Sequence, residues 1–112
     1  MEQKIKKSKL YKINDISKLE YFRNTLFMKL DYNEDSIIVF GESIKVNEII
    51  NLICILINYV IKYNKINFTS QEVLDFANEV SPRHNYSFIF MFLVAENFIL
   101  EKEEEENGTE NK

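Results

Sequence analysis

His84 and Cys54 are the only histidine and cysteine in the chain, so a nucleophile pair or metal site needing imidazole or thiolate has one residue of each to build on. Cys54 falls in the most apolar stretch of the sequence, where a thiol is ordinarily inert packing. Neighbouring carboxylates occur at Glu34 and Asp35 and along residues 103–106, in turn-like and tail-like sequence where water screens them and no cavity shifts a pKa. Two glycines cannot make a phosphate-cradling loop. No catalytic, cofactor-binding or metal-ligating residue is assigned, and the chain is not expected to be an enzyme.

Groups able to meet phosphate are Lys4, Lys6, Lys7, Lys9 and Lys12 near the start, and Arg83, His84 and Asn85 ahead of a predicted helix. The net charge of −4 hides a gradient. Residues 1–30 hold eight Lys/Arg and three Asp/Glu, residues 31–100 four and nine, residues 101–112 two and six, giving +5, −5 and −4. A duplex-binding protein concentrates its cations on one face, and only the first thirty residues could supply that face. The lysines serve equally well as a solubilising end, and residues 83–85 as a solvated turn.

These groups must be carried by one fold. At 112 residues, 46% hydrophobic and 13% aromatic, with one proline, the composition predicts a single domain of long regular elements over 1–100. Residues 1–12 read as a basic arm, with a short strand over 10–13, and 101–112 as an acidic, disordered tail. The abundance of Ile, Asn, Lys, Tyr and Phe is what AT-rich codons produce, which suits a microbial, plasmid or viral source. Three Asn-x-Ser/Thr triplets are therefore read as chance. The lone cysteine and a start without an apolar leader run point to a cytoplasmic protein, host cytoplasm for a viral one. The apolar run over 49–61 is too short to span a bilayer.

Ser17 and Glu20 have capping-box spacing, and Leu19, Phe22, Leu26 and Leu30 follow at helical intervals, predicting a helix over 18–30. A hairpin is expected around Gly41, between residues 36–40 and the alternating Ile44 and Val46. Asn47 is read as the cap of a helix reaching Tyr63, apolar over most of its circumference and hence central to the core. Residues 66–68 make a short strand. Thr69 and Glu72 form a second capping box before a helix ending near Glu79. Ser81 and Pro82 are expected to open a third helix, closed near Glu96 by a left-handed Asn97, with a strand over 98–102.

From Val46 to Lys102 that order resembles the winged helix-turn-helix superfamily, carried by residues 69–74, the restart at Ser81-Pro82, and Leu93 with Asn97, Phe98 and Ile99. The resemblance implies an α-rich α+β fold: a three-helix core, an added N-terminal helix and a small hairpin or wing. It also implies that Tyr86, Phe90, Leu93, Phe98 and Ile99 are buried, leaving Ser87, Phe88, Met91, Phe92 and Ala95 on the outward face of the third helix. DNA-reading relatives carry polar groups there, whereas this face is aromatic, the wing would be glutamate-rich, and no apolar run follows to return it.

Phe88, Met91, Phe92 and Ala95 then have two readings: a surface that binds another protein or a second copy, or a face covered by the helix over 18–30 or the hairpin over 37–40. The function expected is non-enzymatic protein–protein interaction, as a small accessory subunit or a virus- or plasmid-encoded inhibitor acting on a nucleic-acid-processing complex. The alternative is a dimeric DNA-binding transcription regulator using the lysines, Arg83, His84 and Asn85. No cofactor and no membrane association are expected.

Overall fold

A computed structural model describes residues 9–102. The elements run β1 (Leu10–Ile13), α1 (Ile16–Asp31), β2 (Ser36–Val39), β3 (Glu42–Lys45), α2 (Val46–Lys62), α3 (Ser70–Val80), α4 (Tyr86–Ala95) and β4 (Ile99–Lys102). The architecture is α+β, with four helices and two antiparallel strand pairs, β1–β4 and β2–β3.

α2 is the centre. Its residues Ile49, Leu52, Ile53 and Leu56 are wholly buried, and α1, α3 and α4 all pack on it, as a helix apolar nearly all round requires. It starts directly from β3 with no side-chain cap, and the Val46 N–H donates instead to the Asp35 carbonyl at 2.9 Å. Asn47, expected as its cap, lies inside the first turn, because burial of Val46 pulls the helix start two residues earlier, with Lys45 at the N-cap.

α1 buries Leu19 and Leu26 and half-buries Phe22 and Leu30, so the predicted stripe faces the core. Its cap is not Ser17. The Asp15 carboxylate accepts the N–H groups of Ser17 and Lys18, which starts the helix at Ile16.

The Thr69 cap forms as the spacing predicts: its hydroxyl accepts the Glu72 N–H at 3.1 Å, and the Glu72 carboxylate accepts the Thr69 N–H at 3.0 Å. Lys65 completes the group, its Nζ 3.0 Å from the same carboxylate. The Thr69 N–H, then the Lys65 ammonium against an opposing effect of burial, hold the Glu72 carboxyl below its ordinary range; hydrogen bonding to Glu72 chiefly raises Lys65. A depressed carboxyl stabilises the fold above its unfolded pKa and loses that as pH falls through the folded value. The raised lysine stabilises below its unfolded pKa and loses that as pH rises through the folded value. Thr69→Ala is expected to cost about 1 kcal/mol near neutrality. Denaturant titrations at neutral and acid pH should also show Glu72→Gln weakening the acid sensitivity; an unchanged acid limb would remove this group from the account.

Ser81 does not open α4. It is the C-cap of α3, its N–H bonded to the Ala77 carbonyl at 2.8 Å, and its carbonyl, which in an N-cap would accept the first intrahelical N–H, accepts the Tyr86 hydroxyl at 2.8 Å. Residues 81–85 are a connection, and Asn85 occupies the N-cap position of α4. α4 buries Tyr86, Ile89, Phe90 and Leu93 and ends at a left-handed Asn97, φ 66°. Tyr86, Phe90, Leu93 and Ile99 are buried, and Phe98 is half-buried, stacked 4.7 Å from Phe22.

β4 pairs with β1 from Leu10↔Lys102 to Ile13↔Ile99. On its other side β1 meets Phe68: Tyr11 and Phe68 exchange both backbone hydrogen bonds, at 2.8 and 2.9 Å. The expected strand over 66–68 is thus reduced to one bridge. Glu101 and Lys102, assigned by charge to the tail, belong to β4.

Candidate interaction surface around α4

Both elements suspected of covering the aromatic face of α4 do so. Phe22 of α1 lies 6.3 Å, ring to ring, from Phe92, and Phe40 of the hairpin meets Phe88 edge-on at 5.6 Å. Phe88 and Phe92 are half-buried as a result. Ser87, Met91 and Ala95, four residues apart, remain as a narrow exposed row.

Phe40 is the unusual residue. The hairpin turns through Phe40 and Gly41 with φ of 50° and 81°, the left-handed pair that a two-residue turn needs to match strand twist. Glycine and asparagine suit such positions; a bulky side chain is strained there. Gly41 fits, and Phe40 does not. Phe40 is also 60% exposed, and its ring pair with Phe88 is the aromatic contact it makes within the chain. Ile38, on the same side of its strand, and Met91 are exposed as well. Ile37, Val39 and Ile44 point the other way, into the core.

Between β3 and the start of α4 lies a groove of about 420 Å³, walled by Ile44 and Phe88 and bordered by Glu42, Glu48, His84 and Asn85. The Asn85 amide does not cap its helix. Its Nδ2 donates to Glu48 Oε1, while its Oδ1, shielded from solvent, accepts no hydrogen bond.

Of the other groups singled out by the sequence, Arg83 and His84 are exposed in the connection before α4, and Cys54 is half-buried on α2. Lys9 is exposed, 3.5 Å from Glu101, and Lys12 is exposed on β1. Lys4, Lys6, Lys7 and residues 103–106 lie outside the described residues. Among the described residues no cluster of three or more His, Cys, Asp or Glu is placed to hold a metal ion, and no helix is long and apolar enough to cross a membrane.

Sequence reasoning missed Phe40, Glu48 and the engagement of Asn85. A signal for Phe40 existed: an aromatic directly before the glycine of a two-residue turn. None existed for the Glu48–Asn85 pair, whose partners are 37 residues apart. Compared with protein-family models, curated proteins and solved structures, the chain matches none.

Proposed function

We propose that this is a non-enzymatic protein–protein interaction module, a small accessory subunit or a virus- or plasmid-encoded inhibitor, that docks through Phe40, Phe88 and Met91. The observation that carries the reading is Phe40, an aromatic held in a left-handed turn and left mostly in water. Left-handed backbone costs a non-glycine residue about 1–2 kcal/mol, and an edge-on ring pair returns about 0.5–1.5 kcal/mol. Within the chain the two nearly cancel, so its own stability does not account for phenylalanine at this position. Aromatic residues and methionine are enriched at protein interfaces, and Phe40 and Met91 are both exposed, Met91 one helical turn from the Phe88 that Phe40 touches.

The order α2, α3, α4, β4, with the Phe68 bridge before α3, accords with a winged helix-turn-helix core whose returning wing strand is β1, from the opposite end of the chain. That supports placing the partner in a nucleic-acid-processing complex. Direct DNA reading has less support: the exposed row of α4 offers only Ser87 as a hydrogen-bonding side chain, and Asn85 is already held by Glu48.

Phe40→Asn tests the proposal, because asparagine tolerates the left-handed turn. The parent is expected to form a stoichiometric complex or to self-associate on sedimentation, and the variant to lose that association while keeping stability within about 1 kcal/mol of the parent. Undiminished association would overturn it.

A further inference from the structure

We infer that the groove between β3 and the start of α4 receives an arginine side chain of the docking partner, an assignment that rests on the interaction reading above. The groove adjoins the proposed anchor, since Phe88 forms its wall on one side and meets Phe40 on the other. Asn85, one of the residues that line it, carries an acceptor with nothing to accept. Asn85 has spent its Nδ2 on Glu48, and its Oδ1 is shut off from solvent without a donor. Such an orphaned acceptor is rare in a folded chain, and a donor entering beside it recovers an interaction the free protein forgoes. Glu48 is also half-buried and uses Oε1 for Asn85, leaving Oε2 without a protein donor among the described residues.

Two acceptors side by side, one of them anionic, beside an aromatic ring and an isoleucine, match a planar fork of N–H donors. Guanidinium supplies that fork and also packs its flat face on apolar walls, whereas ammonium is a compact, strongly hydrated point charge. Lys45, the lysine bordering the groove, is exposed, where solvent screens it; Glu48 and Asn85 are not. In the proposed complex the Asn85 amide turns to present Oδ1, and the guanidinium takes over the place of its Nδ2 at Glu48.

The probe is N-acetyl-arginine methylamide, titrated into the full chain labelled with 15N, with the neutral citrulline analogue as control. Saturable shifts are expected in the amides of residues 42–48 and 84–88, absent with citrulline and weakened on the order of tenfold by Glu48→Gln, which still accepts from Asn85 and so keeps the fold. Shifts confined to the acidic residues after β4, equal shifts with citrulline, or indifference to Glu48→Gln would overturn the assignment. The two readings fail separately. Association abolished by Phe40→Asn with no arginine response in the groove removes the arginine site and leaves the docking face. Arginine shifts in the groove together with undiminished association of Phe40→Asn remove the docking face instead.

Discussion

Tyr11→Ala should destabilise the protein by about 3–5 kcal/mol, the range for emptying a buried aromatic site, which is a large share of the roughly 5–15 kcal/mol that holds a domain folded. Tyr11 is 6% exposed, and its ring lies edge-on to Phe90 at 5.2 Å. Its backbone joins Phe68 on one side, and its strand joins β4 on the other. The side chain therefore fills space between α4 and a strand on which two distant segments converge. Urea denaturation measures the loss. A shift below 1 kcal/mol would mean that β1 is an ornament on a core complete without it.

The second large effect is at Phe92. Phe92→Glu takes a ring from its place against Phe22 and puts a carboxylate in a half-buried apolar layer, with an expected cost of about 3 kcal/mol or more. Met91→Glu, one residue away on the exposed row, should change stability by no more than about 0.5 kcal/mol while disrupting association. The pair separates packing from docking. If Phe92→Glu left the urea midpoint unchanged, α1 would not cover α4, and the whole aromatic face would return to solvent.

What could be read from the sequence was what local chemistry decides. The Thr69–Glu72 box depends on two side chains three residues apart, and the left-handed Asn97 on one residue's tolerance of that backbone. The central position of α2 followed from its nearly continuous apolar surface. Where a local rule failed, a competing bond had taken the group. Ser81 and Pro82 have the form of a helix start, but Ser81 ends α3 and its carbonyl is taken by the Tyr86 hydroxyl, so α4 starts at Tyr86. Ser17 and Glu20 have the form of a box, but Asp15 caps the helix two residues earlier and accepts the Ser17 N–H that Glu20 would have taken.

The candidate surface was legible only in part, because α4 is covered by side chains far from it in sequence. Periodicity placed Phe88, Met91 and Phe92 outward and could not divide them; the rings of Phe22 and Phe40 do so, leaving Met91 exposed. The partner of β4 was likewise out of reach, since nothing local to residues 98–102 says that residues 10–13 will lie beside them.

The pairing of Leu10 with Lys102 brings the two ends of the described residues side by side. A short linker could join them, and new ends could be opened in another loop, giving a circular permutant with every element in place. Such a rearranged chain would make β1 and β4 consecutive, turning the pairing most distant in sequence into a local one, so it should fold faster than the natural order.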